Sequence, residues 1–141
     1  MAHIRQQLRD KARVIVQAAI NRPVYGNRAH QIDDARLPCA VIFTDRDANE
    51  RVNLSSIGKK VYMTIQVYSI ANPIKEADDS LDDLCVAIEN AFNADTTINA
   101  TDFFLVSTSI DLFDEGERPI AMATLNYEFD FLGISSSEQL I

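Results

Sequence analysis

One stretch fixes most of what this chain can become: Lys59 to Phe92, where a strand pattern delivers the polypeptide into a helix pattern. Val61, Met63, Ile65 and Val67 alternate with Tyr62, Thr64, Gln66 and Tyr68, the period of two expected of a strand with one face in a core. Asn72-Pro73 then breaks the pattern, because proline offers no N–H to a ladder and its fixed φ suits a first helical turn. In the following run Ala77, Leu81, Leu84, Cys85, Ile88 and Phe92 fall on one side of a helix. Asp78, Asp79, Asp82, Asp83 and Glu89 fall on the other. A strand leading directly into an amphipathic helix is the centre of an α+β fold.

The rest of the chain reads as layers added to that unit. Ile4, Leu8, Ala12, Ile15, Val16 and Ala19 have helical spacing, which predicts a first helix from about His3 to Ile20. Arg5, Arg9 and Arg13 recur at every fourth residue on another face of it. This basic stripe reads either as a solvated face, partly paired with Asp10 or another element, or as a subunit contact. Val24–Ala29 is a short candidate strand, and Asp33–Arg36 a turn. Leu37 to Phe43 is a continuous apolar run entered through Pro38, as expected of a strand buried on both faces or nearly so.

Thr44 to Gly58 is the least apolar long stretch and reads as an extended, mobile arm between two strands, longer than a tight hairpin needs. Its charged residues include Arg46, Asp47, Glu50 and Arg51. After the second helix, Thr96–Asp102 is a polar connector, Phe103–Phe113 a strand, and Asp114–Arg118 a hairpin loop around Gly116. Ile120–Phe131 is the last strand, with Ala121, Ala123, Leu125, Tyr127, Phe129 and Phe131 on one face. The expected fold is therefore α+β, with a single mixed β-sheet of four to five strands packed against two α-helices. Residues 1–132 form one domain and residues 133–141 a loose tail.

At 141 residues with 47% hydrophobic content, the chain has enough apolar surface for one ordinary core. No apolar run approaches the roughly 20 residues that span a bilayer, and the first residues have no apolar signal-peptide core, so synthesis in a cytoplasm is expected. Cys39 and Cys85 sit in apolar patterns without close spacing, which favours two buried thiols over a disulfide. The net charge of −8 conceals a split, with +5 over residues 1–60 and −13 over residues 61–141. An acidic total argues against a nucleic-acid grip, which needs a basic stripe to displace counterions.

Motifs for chemistry are few and incomplete. Asp45-x-Asp47-x-Asn49 opens like a calcium loop, but the sixth and twelfth positions hold Glu50 and Ser56 where glycine and glutamate are required. The carboxylates of Asp78, Asp79, Asp82 and Asp83 suit the positive end of a helix dipole better than a metal or acid–base site. His3 and His30 belong to no ligand or nucleophile motif, and the four glycines form no phosphate loop. The expectation is a non-enzyme without metal or cofactor.

In order and texture of elements, the sequence resembles the tail terminator (minor tail, tail completion) proteins of long-tailed bacteriophages. The resemblance is carried by the first helix, by the Leu37–Phe43 strand behind an acidic turn, and by Tyr62-Met63-Thr64-Ile65-Gln66-Val67-Tyr68 after a polar loop. It continues through Asp79-Ser80-Leu81-Asp82-Asp83-Leu84 at the second helix and Ala123-Thr124-Leu125-Asn126-Tyr127-Glu128-Phe129 in the closing hairpin. It covers about residues 3–131. It implies a hexameric ring at the head-proximal end of the tail tube in the virion. Such a ring stops tube polymerisation and meets the head–tail connector protein, while DNA crosses its lumen without specific binding. Under it, Arg5, Arg9 and Arg13 would face Asp79, Asp82 and Asp83 of a neighbouring subunit. Arg46, Asp47, Glu50 and Arg51 would belong to an arm reaching the tail tube protein or a neighbour. The alternatives are another phage neck or head–tail connector component, and a small enzyme or ligand-binding domain with a deep polar pocket.

Overall fold

The computed structural model describes residues 3–26, 39–51, 57–70, 74–115 and 118–134. The expected turn at Asp33–Arg36, the Leu37-Pro38 entry, the Asn72-Pro73 break and the Gly116 turn lie outside the described residues. In chain order the elements are α1 (Ile4–Ile20), β1 (Val24–Tyr25), β2 (Cys39–Arg51), β3 (Ile57–Ile70), α2 (Ile74–Ala94), β4 (Asp102–Glu115) and β5 (Arg118–Ile134). The strands form one sheet in the order β1-β2-β3-β5-β4. Among the described strands only the β1–β2 pairing is parallel. The α+β sheet-and-two-helix expectation holds.

Helix α1 starts where the Nδ1 of His3 accepts the N–H of Arg5 at 3.0 Å, satisfying one of the otherwise unpaired first-turn donors. It ends at Asn21, the one described non-glycine residue with positive φ (53°), whose N–H donates to the Gln17 carbonyl at 2.8 Å. Asparagine tolerates this left-handed conformation better than most residues. Ile4, Leu8, Ala12, Val16 and Ile20 are buried along one stripe of the helix. Helix α2 buries Leu81, Cys85, Ile88 and Phe92, the stripe expected from its period.

Both helices pack on the same sheet face, against Ala40 and Ile42 of β2, Val61 to Val67 of β3, and Ala121 to Phe131 of β5. Phe92 is the hinge of this layer, with its ring centroid 5.0 Å from that of Tyr127 and 6.2 Å from that of Phe129. Phe103 stacks on Phe129 from β4 at 5.3 Å. Between α2 and β4 the Asp95 carboxylate accepts the N–H groups of Thr97 and Ile98, each at 3.0 Å. That bond pair turns the chain back toward the sheet.

Several expectations about element bounds are corrected. The strand expected over Val24–Ala29 is Val24–Tyr25, with Gly26 outside it and residues 27–29 outside the described residues. Asp114, Glu115 and Arg118, expected in a hairpin loop, are strand, with Glu115 paired to Arg118. Residues 44–51, expected to be a polar arm, are strand: β2 continues to Arg51 and pairs antiparallel with β3 as far as Arg51 opposite Ile57. Residues 52–56 of the expected arm lie outside the described residues. Apolar alternation is missing because Arg46, Ala48, Asn49, Glu50 and Arg51 are exposed, so ladder hydrogen bonds rather than a core face hold this segment. Likewise β5 runs on to Ile134, which pairs with Ile57, two residues into the expected tail. Residues 135–141 lie outside the described residues.

A bulge between Thr44 and Arg46 interrupts β2. Thr44 opposes Met63 on the helix side and Arg46 opposes Tyr62 on the other, so one extra residue returns Asp47 to the helix side opposite Val61. A second bulge lies between Leu105 and Ser107 of β4.

Candidate interaction surfaces

The helix side of the β2–β3 ribbon holds a row of charge. Lys59 is 3% exposed although lysine is rarely buried; its Nζ lies 2.6 Å from Asp47 Oδ2, while Arg5 reaches Asp47 Oδ1 at 3.3 Å. The Lys59 hydrogen bond, with the charges of Lys59, Arg5 and His3 added, outweighs burial and holds the Asp47 carboxyl below its ordinary range. One turn further along α1, Arg9 donates to Thr44 Oγ1 at 3.0 Å. These contacts staple the first half of α1 to β2.

Neither described helix lies on the opposite sheet face. On it Lys60 lies 2.8 Å from Glu128 and 3.9 Å from Asp130, and the hydrogen bond to Glu128 raises the Lys60 pKa, helped by Asp130. Arg46 lies over the Tyr62 ring at 4.1 Å, a cation–π arrangement. Thr64 donates to Asn126, which donates to Ser107 at 3.0 Å, a polar chain crossing from β3 to β4. Two shallow hollows of about 400 and 310 Å³ lie here, one beside Lys60, Asp130 and Leu132, the other beside Tyr62, Ser107 and Asn126. In the second hollow Ser107 is hydrogen-bonded to Asn126 while Glu128 is paired with Lys60, and among the described residues no three His, Cys, Asp or Glu side chains converge as metal ligands.

Large apolar groups also stand exposed on β4 and β5. Phe104, Val106 and Ile110 of β4 are 49%, 52% and 44% exposed, and Leu132 of β5 is exposed as well. Among the described residues β4 has a strand partner on one side only, and β1 covers β2 only at Ala40 and Val41.

The sequence-derived candidates land as follows. Arg5 and Arg9 point at β2 of their own chain, whereas Arg13 is exposed, its stem 3.1 Å from the position a side chain on Gly26 would take. Asp79, Asp82 and Asp83 are exposed on α2, and no ion pair among the described residues joins them to the α1 arginines. Of the four charged residues singled out between Thr44 and Gly58, Asp47 is engaged internally, Arg46 rests on Tyr62, and Glu50 and Arg51 are exposed at the far end of β2. Sequence reasoning missed Lys59, Lys60, Glu128 and Asp130. The Lys59-Lys60 pair at a strand start was a signal, since adjacent strand residues face opposite sides.

No helix is long and apolar enough to cross a membrane. No protein-family model matches the sequence, and no curated protein sequence matches it. Among solved structures the chain is similar to a chain from the virion of a native gene transfer agent particle. That likeness has a TM-score of 0.56 and 13% identity, covering 93% of this chain and 92% of the other. At that identity what is shared is the fold.

Proposed function

We propose that this chain is a structural subunit of a phage-type virion, the tail terminator. In this reading it assembles as a ring, hexameric as in the family its sequence resembles, on the head-proximal end of the tail tube. There it halts tube polymerisation and offers the head–tail connector a surface. The observation that supports the reading best is the likeness to a virion chain along nearly the full length of both chains. It agrees with a molecule whose distinctive features are faces and edges: charged ribbons, exposed apolar strand residues and shallow hollows. The net charge of −8 suits a passage that DNA crosses without sticking.

The experiment is made on particles. The gene is deleted from its phage or prophage, lytic growth is induced, and the lysate is imaged by negative-stain electron microscopy. Headless tubes of abnormal length are the expected result. Tails of normal length beside unattached, DNA-filled heads would assign the chain to head–tail joining instead. Intact, infectious particles would overturn both.

A further inference from the structure

We propose that copies of this chain join edge to edge through one continuous β-sheet, the β4 edge that has no strand partner among the described residues pairing antiparallel with the outer edge of β2, beyond β1, of the next copy. The contact deepens the ring reading and rests on it for the closure of the chain of subunits into a ring.

Unpaired strand edges invite another strand, and soluble proteins normally blunt them with proline, lysine, inward charges or bulges. From Asp102 to Glu115, β4 contains no proline, lysine or arginine. Its one interruption, at Leu105/Ser107, leaves a regular run from Ser107 to Glu115. On β2 the run from Arg46 to Arg51 is likewise regular beyond its bulge and also lacks proline and lysine. Six residues is an ordinary length for a paired strand.

Direction and charge select the partner. Three successive antiparallel pairings, β2–β3, β3–β5 and β5–β4, make β4 run opposite to β2. A rotation that carries one sheet into line with the next therefore brings β4 beside the neighbour's β2 antiparallel, the commoner pairing. The β4 strand carries Asp102, Asp111, Asp114 and Glu115 and no cation, so a β4-to-β4 pair would set acid against acid. The β2 edge offers exposed Arg46 and Arg51 against a single exposed acid, Glu50, while its Asp47 is already neutralised by Lys59 and Arg5. Ile110, exposed within that run, gains a cross-strand neighbour in the process. Because the two edges differ, the contact is heterologous and propagates until it closes.

Two full-length variants test this by native mass spectrometry and sedimentation. One carries Ile110→Lys and Asp111→Lys on β4, the other Arg46→Glu and Arg51→Glu on β2. The wild type is expected to form a closed oligomer and each variant alone a monomer with unchanged circular dichroism. An equimolar mixture should then stop at one-to-one dimers, because each variant keeps one competent edge. A wild type that is monomeric up to its solubility limit overturns the proposal. If both variants assemble like the wild type, the edge contact is wrong while the ring reading stands on another surface. If the β2 variant alone dimerises, the contact is β4 to β4 and the proposal also fails. Abnormally long headless tubes in the deletion lysate, beside either failure, would keep the terminator role without this contact.

Discussion

The Lys59 ammonium lies 2.6 Å from Asp47 Oδ2, with the lysine side chain 2% and the aspartate side chain 17% exposed. The pair is thus largely removed from water and joins β2 to β3 where the neighbouring β2 side chains Arg46, Ala48, Asn49, Glu50 and Arg51 are exposed. Replacing one partner strands the other, at a cost of about 3 kcal/mol for a buried pair, whereas replacing both with apolar groups is often near neutral. Asp47→Ala is therefore expected to destabilise the chain more than Lys59→Met, since Asp47 retains Arg5. The double variant should be more stable than Asp47→Ala alone. Urea unfolding of the three proteins measures this, and strictly additive losses would show that the two groups do not act as a pair.

The same contact sets an acid limb. Asp47 titrates below its ordinary value when folded, so the unfolded chain binds more protons between the two values and stability rises with pH across that window. The contribution is fully present above about pH 4, the ordinary aspartate range, and is lost as pH falls through the folded value. Asp47→Asn should be less stable than wild type at neutral pH, and the gap should narrow on acidification. A gap that stays constant to the acid limit would show that the carboxylate is not the titrating group.

Phe92 is 1% exposed and touches the rings of Tyr127 and Phe129 from α2. Truncation to alanine leaves a cavity where helix and sheet meet, and the expected loss is about 3–5 kcal/mol. Val86→Ala on the exposed side of the same helix should change stability by less than about 0.5 kcal/mol. Thermal or denaturant unfolding compares them; similar losses would mean that α2 is not seated as described.

Cys39 and Cys85 are both buried and form no disulfide. Burial first, then Glu89 and Asp82, pushes the Cys85 thiol up to about 11. Because the thiolate is the reactive form, Cys85 should resist a disulfide-exchange reagent at about pH 8 until the chain unfolds. Mass spectrometry of the labelled cysteine follows the reaction. Modification as fast as that of a free thiol would place Cys85 on an open surface.

How far the sequence foretold the molecule varies by segment, for physical reasons. Leu81, Cys85, Ile88 and Phe92 on α2 and the alternate residues of β3 and β5 were legible because each element has one apolar and one polar face. Residues 44–51 had no such contrast: a strand whose side chains are polar on both faces is written in its backbone pairing, which apolar periodicity does not record. Exposed Phe104, Val106 and Ile110 were read as strand, yet their exposure depends on how far the helices reach across the sheet. Arg5, Asp47 and Lys59 are scattered through the sequence, and only the β2–β3 register with α1 above it brings them together. The basic stripe was visible as a pattern, but two of its three members turn inward to β2.

The bulge in β2 makes residue 45 a spacer in the evolutionary sense. Removing it would leave Thr44 opposite Met63 and Arg46 opposite Tyr62, because those partners already flank it. A deletion at Ala48 would instead invert the orientation of Asn49 to Arg51 or drag the hairpin out of step. Deletion of Asp45 should thus be tolerated where deletion of Ala48 is not, which thermal unfolding of the two shortened chains would reveal; equal losses would deny the spacer role. Along β2, length variation among descendants of this chain has one place where it costs no neighbour its partner.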